Sequence, residues 1–258
     1  LVWILAYARM TWTLILRTIA NMTLGTLYFI PVTLGDHNIS RVLPPEVVAL
    51  TQKLETFIVE NEKTARHFLS TIKTLKPVRE LKMLTLNEHT EEKQIPALLT
   101  PLLAGQDVGL MSEAGCPGIA DPGAKLAALA HIKGIRVAPL VGPSSILLSL
   151  MASGLNGQRF TFLGYIPQDK AARINRLKEI EKQSAKNNET QIFIETPYRN
   201  QHLLEDMLAH CQAGTRLCVA CNISLESEMI ATKTVAQWKK SPLPDLHKKP
   251  TVFLLLTS

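Results

Sequence analysis

A chain of 258 residues, 46% hydrophobic and 19% charged, has material for one large core or two modest ones, and excludes a disordered chain. The formal charge of +6 tilts mildly toward anionic partners such as RNA without demanding one. Four cysteines, Cys116, Cys211, Cys218 and Cys221, do not suggest a disulfide framework, so a cytoplasmic location is expected.

Leu1 to Asn21 is apolar, but Arg9, Arg17 and three threonines interrupt it, and it has neither a charged leading region nor a small-residue cleavage pattern. It is read as an extension outside the fold and not as a membrane anchor. Subtracting its two arginines from +6 leaves +4 on the remainder.

Thr26–Ile30 is a β-rich run stopped by Pro31, and the loop Val32-Thr-Leu-Gly-Asp36 follows. Asp36 is either a site residue or the cap of the next helix. A second strand runs over 56–60, and Glu60-Asn-Glu-Lys-Thr-Ala-Arg66 opens a helix reaching about Leu75. Glu60, just past a strand's carboxyl end, suits a substrate-side acid or base; it equally suits an acidic first turn that offsets the helix dipole. A third strand covers Lys82–Leu86, with Asn87-Glu-His89 at its end, and a helix is expected over Glu91–Leu103.

The stretch Asp107 to Gly123 organises the rest. Val108–Met111 reads as a short buried strand, and Gly115, Pro117, Gly118, Pro122 and Gly123 then crowd into nine positions that no regular element tolerates. An alanine-rich helix, Ala124–His131, follows. Strand, glycine–proline loop and helix is how an α/β sheet builds a ligand site at the carboxyl ends of its strands; a tight connection without ligand is the alternative. Arg136–Leu140 is a fifth strand, and Val141-Gly-Pro-Ser-Ser145 leads into the helical run Ile146–Ala152. The alternation over 26–152 predicts a parallel sheet covered on both faces. Ser153-Gly-Leu-Asn-Gly157 is the expected domain boundary, dividing 22–152 from 153–258.

In the second domain Arg159–Pro167 reads as a strand. The helix Ala171–Lys186 follows, with Lys170, Arg173, Arg176, Lys178, Lys182 and Lys186 forming a solvated basic face or an RNA-backbone contact. Gln191-Ile-Phe-Ile-Glu195 is a strand, and Glu195 is either a site acid or one half of a buried pair with Arg199. Cys218-Val-Ala-Cys221 has the spacing of a metal or redox pair, but it lies in a strand, where positions three apart face opposite sides. Two buried thiols are therefore expected, and no metal. Glu226–Val235 and Thr251–Leu256 are the last strands.

Ser112-Glu-Ala-Gly-Cys-Pro-Gly-Ile-Ala-Asp-Pro-Gly123 resembles the S-D-A-G-T-P-G-I-S-D-P-G loop of the ribosomal RNA small-subunit methyltransferase I family, within the tetrapyrrole-methylase-like class of S-adenosylmethionine (SAM) enzymes. Further blocks carry the same resemblance. Leu34-Gly-Asp36 matches the end of G-x-G-P-G-D, and Glu60 to Arg66 resembles A-E-D-T-R-H-T-R with Asn61 for aspartate. Gly142-Pro-Ser-Ser145 resembles P-G-P-S-A, and Arg159–Pro167 resembles R-F-x-F-x-G-F-L-P. Gln191 to Arg199 resembles F-Y-E-S-P-H-R, with Glu195, Pro197 and Arg199 matching. Beyond residue 200 the likeness weakens, and Asn222–Ser227 lacks the family's R-E-L-T-K-x-x-E signature. Met22 stands where proteins of the family begin.

The resemblance implies two α/β domains of the tetrapyrrole methylase type with a cofactor cleft between them, a homodimer, and SAM as methyl donor to a ribose 2′-hydroxyl of ribosomal RNA. The implied cofactor residues are Leu34, Gly35, Ser112, Glu113, Ala114, Gly115, Cys116, Ile119, Ala120, Ser144 and Ser145. Ser144 or Ser145 would also start the following helix. The candidates for proton acceptor are Glu60 first, then Asp36 and Glu195. Two other readings stand beside this one: a methyltransferase of the same fold acting on a tetrapyrrole or other small molecule, and a non-enzymatic SAM- or RNA-binding module. No P-loop signature and no histidine cluster for a metal is present in the sequence.

Overall fold

The computed structural model describes residues 23–35 and 39–257. The extension 1–21 and the candidate Asp36 lie outside the described residues. The chain divides into two compact units. One comprises the described residues up to Val32 together with Ile39–Gly142, and the other Thr33, Leu34 and Gly35 together with Pro143 onward.

The first unit holds a five-stranded sheet of β1 (Thr26–Phe29), β2 (Thr56–Val59), β3 (Lys82–Thr85), β4 (Val108–Met111) and β5 (Arg136–Pro139). The order is β3-β2-β4-β1-β5 and every pairing is parallel. The expected apolar runs of β2 and β4 are strands because both of their faces are covered. In β2 and β4 all positions are buried, with Ile58 and Leu110 in one core and Phe57, Val59 and Met111 in another. The helix expected over Glu91–Leu103 is instead a 3-10 stretch, Glu92–Leu99, followed by a short α-turn, Thr100–Leu103. Pro96 and Pro101 explain this, since neither has an N–H to donate to the α-helical ladder.

The second unit has the strand order β6-β7-β10-β8-β9, built from Phe160–Tyr165, Thr190–Ile194, Thr251–Leu256, Arg216–Cys221 and Met229–Thr234. Only the β6–β7 pair is parallel. The helix Ser145–Ser153 belongs to this unit, so the division falls between Gly142 and Pro143, ahead of the expected break at 153–157. Its apolar residues decide this: Ile146, Leu148 and Leu150 pack with Ile192, Val252 and Leu254. The paired cysteines are split as the strand period requires. Cys218 packs with Ala220 and Leu150, whereas Cys221 packs with Leu217 and Val219 in the opposite core.

The basic helix Lys170–Asn187 is not uniformly solvated. Arg173 is buried and its Nη2 lies 2.6 Å from Asp206 Oδ2, and its Nη1 donates to the Gln168 carbonyl at 2.7 Å. Arg173 is therefore unavailable to an RNA backbone. Removing one member of such a pair strands the other's charge, so Asp206→Ala should destabilise the protein by about 3–5 kcal/mol. Urea unfolding of the variant checks this, and a loss below about 1 kcal/mol would contradict a closed buried pair.

Candidate functional site

The glycine–proline loop of the first unit is held in place from several sides. The Val32 N–H donates to the Gly115 carbonyl at 2.9 Å, and the Ile30 N–H to the Leu110 carbonyl at 2.8 Å. Gly115 (φ 71°) and Gly118 (φ 81°) occupy the left-handed region. A Cβ on Gly118 would lie 2.9 Å from Cε1 of Phe29. Ala120 adopts φ 64° without being glycine, a local strain of the kind that concentrates at functional loops.

Three carboxylates gather around this loop at the carboxyl ends of β2 and β4. Glu60 follows β2 directly, and its Oε2 accepts the Glu113 N–H at 3.3 Å. Burial raises the Glu60 carboxyl above its ordinary value, partly offset by that hydrogen bond, while the charges of Glu113 and Glu88 push it further up. Asp121 is pushed up to about 6, first by burial and then by the charge of Glu60; its hydrogen bond with Ser112 acts against this and Glu113 adds to it. Thr64 Oγ1 donates to Glu113 Oε1 at 3.4 Å. Glu60, Met111, Ser112, Gly118 and Asp121 line a common small cleft.

Asn61 caps the helix Glu62–Ile72 by accepting the Lys63 N–H at 2.9 Å. Asparagine caps as well as aspartate does, so this departure from the family block leaves the cap intact. Arg66 donates to the Val78 carbonyl at 3.0 Å and pairs with Glu62 at 3.2 Å, both structural tasks. His89 is solvated and lies beside Glu88. Burial raises the Cys116 thiol, and its Sγ lies 3.9 Å from the Gly142 carbonyl oxygen. Ile119 is exposed.

The remaining expected residues lie in the second unit. Leu34 packs into the core that holds Leu150. The Gly35 carbonyl accepts the Thr33 hydroxyl at 2.6 Å. Ser144 is the N-cap of the helix Ser145–Ser153, its Oγ accepting the Leu147 N–H at 3.4 Å, and Ser145 is the first helical residue. Glu195 is buried, with Oε1 2.6 Å from Arg199 Nη2 and accepting the Thr196 N–H at 2.6 Å. The carboxylate of this pair is buried, whereas the Arg199 side chain is 32% exposed.

Asp121 is the residue that reading the sequence left out. It is the aspartate of the Ala120-Asp-Pro-Gly123 tail of the loop, and nothing in its spacing signals that it meets Glu60. A larger cavity of about 720 Å³, lined by Lys53, Thr56, Lys82 and Asp107 among others, lies at the amino ends of the same strands. Ligands of open α/β sheets bind at the opposite, carboxyl ends, where the strained loop and the carboxylates are. Among the described residues no group of histidine, cysteine and acidic side chains is placed to hold a metal ion. None of the described helices is long and apolar enough to cross a membrane.

Residues 26–238 match the family model of the Tetrapyrrole (Corrin/Porphyrin) Methylases. The chain is 29% identical over 234 residues to the ribosomal RNA small subunit methyltransferase I of Xylella fastidiosa, covering 91% of this chain and 81% of that protein. It is 31% identical over 226 residues to the protein of the same name from Pseudomonas aeruginosa, covering 88% and 73%. Among solved structures, the methyltransferase CobJ superimposes with a TM-score of 0.59 at 16% identity, covering 91% of this chain and 95% of that one, which shows the shared fold. With the family model spanning most of its length, the chain belongs to the tetrapyrrole (corrin/porphyrin) methylase family and is a methyltransferase.

Proposed function

We propose that this protein transfers a methyl group from SAM to a ribose 2′-hydroxyl of small-subunit ribosomal RNA. Similarity to ribosomal RNA small subunit methyltransferases supports the RNA acceptor. The observation that carries the donor assignment is the cluster of Glu60, Glu113 and Asp121 around a glycine loop. Burial and neighbouring carboxylates disfavour the ionisation of Glu60 and Asp121, and such a site matches a ligand bearing positive charge; SAM presents both a sulfonium and an ammonium. The left-handed glycines let a nucleoside approach the backbone closely, since Gly118 has no room for a Cβ. These residues therefore fit the donor. Gly115, Gly118 and Ala120, with Ser112, Glu113, Ala114, Cys116 and Ile119 of the same loop, would hold it.

When bound, SAM supplies an electrophilic methyl on a good leaving group. The protein's task is then alignment and proton management. Glu60, whose carboxyl is raised above its ordinary value, would accept the hydroxyl proton as the methyl group is transferred. Asp121 and Glu113 keep the surroundings of Glu60 anionic, which favours a cation in the cleft.

The test is transfer of isotope-labelled methyl from SAM to small ribosomal subunits, followed by nucleoside mass spectrometry. A 2′-O-methylnucleoside is expected. Label on a small molecule alone would move the assignment to the small-molecule reading, and absence of product despite SAM binding would move it to the non-enzymatic one.

The raised carboxyl of Asp121 also predicts a stability signature. A group whose folded pKa of about 6 exceeds its ordinary 3.8 binds protons more tightly in the folded state. Its ionisation therefore lowers stability as pH rises between those two values. Asp121→Asn should raise Tm by about 1–3 °C at pH 7.5, with the gain gone below about pH 4. Thermal melts at both pH values check this, and a lower Tm for the variant at pH 7.5 would contradict it.

A further inference from the structure

We infer that the second unit carries a stacking platform for single-stranded RNA, formed by Tyr198 and Tyr165 and flanked by His247 and Lys248. The inference rests on the RNA acceptor proposed above, and it concerns how RNA is gripped, not how it is methylated.

β6 and β7 are parallel neighbours whose carboxyl ends lie side by side, with Tyr165 opposite Ile194. The register shifts between Phe162 and Tyr165, and Gly164 there adopts φ 70°. Tyr165 is left 60% exposed. Just past β7, the Arg199 N–H donates to the Thr196 carbonyl at 2.9 Å and closes a turn that leaves Tyr198 67% exposed. Exposed tyrosine rings at the end of a sheet offer faces on which bases can stack.

The surroundings are cationic. Lys248 Nζ lies 6.0 Å from the Tyr198 ring centroid, and the His247 ring meets the same tyrosine edge-on at 6.3 Å. Lys248 is fixed there by backbone: its N–H donates to the Pro197 carbonyl at 3.0 Å and its φ is 59°. Arg199 interacts electrostatically with Tyr165, and its Nη2 is held 2.6 Å from the buried Glu195. The one acid of the neighbouring turn, Asp245, is already engaged by Lys249 Nζ and by the His247 N–H, at 2.9 and 3.0 Å. Exposed aromatic faces interleaved with fixed cations are the recurring means of holding single-stranded nucleic acid: bases stack on the rings and phosphates meet the cations.

The test is fluorescence anisotropy of a labelled twelve-nucleotide oligouridine against the full chain over a series of salt concentrations. Tyr198→Ala is expected to weaken binding about tenfold and Tyr198→Trp to keep it within about twofold, as base–aromatic stacking requires. Lys248→Ala should flatten the slope of log affinity against log salt by about 0.7, the signature of one lost phosphate contact. SAM binding should be unchanged in all three variants, which separates this result from failure of the donor assignment. Wild-type affinity in Tyr198→Ala, or no wild-type binding at 50 mM salt, would overturn the inference. So would conversion of a dimer to a monomer by Tyr198→Ala at unchanged RNA affinity, since the surface would then join two copies of the chain.

Discussion

Glu60→Gln is expected to lower kcat for methyl transfer by about 10²–10⁴-fold while changing the KM for SAM only a few-fold. Glutamine keeps the shape of the side chain and can still accept the Glu113 N–H, which reaches Glu60 Oε2 at 3.3 Å. It cannot take a proton. The split between kcat and KM separates this role from simple attraction of a cation: if Glu60 serves only to hold the donor, KM rises and kcat stays. The pH profile gives a second reading. Because burial and the charges of Glu113 and Glu88 raise the Glu60 carboxyl, the wild-type rate should climb, as that carboxylate forms, at a higher pH than an ordinary carboxylate would give. The glutamine variant should lose that limb. Steady-state kinetics across pH decide the matter, and a variant retaining more than half of wild-type kcat would remove Glu60 from proton transfer.

Gly118→Val should weaken SAM binding by about 30-fold or more, while the far-ultraviolet circular dichroism spectrum stays that of the wild type. Two independent costs fall on this position. Its φ of 81° lies where a side chain with Cβ pays about 1–2 kcal/mol. The new Cβ would also lie 2.9 Å from the Phe29 ring, adding overpacking of about 1–3 kcal/mol. Both are relieved only by moving the loop. A pair of gentler variants isolates the second cost: Phe29→Leu combined with Gly118→Ala should bind SAM better than Gly118→Ala alone. Equal affinities of Gly118→Val and wild type would place the donor away from this loop.

Much of the first unit was legible in the sequence because two of its inner strands, β2 and β4, are fully covered. Runs such as Thr56–Val59 and Val108–Met111 are continuous and apolar, and they are bounded by glycine, proline or a polar turn, so their ends can be read directly. The cysteine pair was legible for the same reason, since the strand period alone separates Cys218 from Cys221. What escaped depends on contacts between residues distant in sequence. The helix Ser145–Ser153 follows the first sheet in the chain, yet its apolar face is buried on strands that come later, so local punctuation misplaced the division. Arg173 looked like one more cation on a basic face until Asp206, thirty-three residues on, closed over it. Asp121 was within the loop that carried the resemblance, but its meeting with Glu60 is made by the fold, not by spacing. Glu195 was readable either as an acid of the site or as half of an ion pair, and the turn past β7 brings Arg199 Nη2 to 2.6 Å from it.

The most direct test of the account is calorimetric titration of the protein with SAM at pH 7 and at pH 5. The account predicts binding at pH 7 that weakens about tenfold at pH 5, because Asp121, pushed up to about 6, is then about nine-tenths protonated and the cleft loses anionic charge. A folded protein that shows no binding at either pH, or the same affinity at both, would contradict a cationic donor held among Glu60, Glu113 and Asp121.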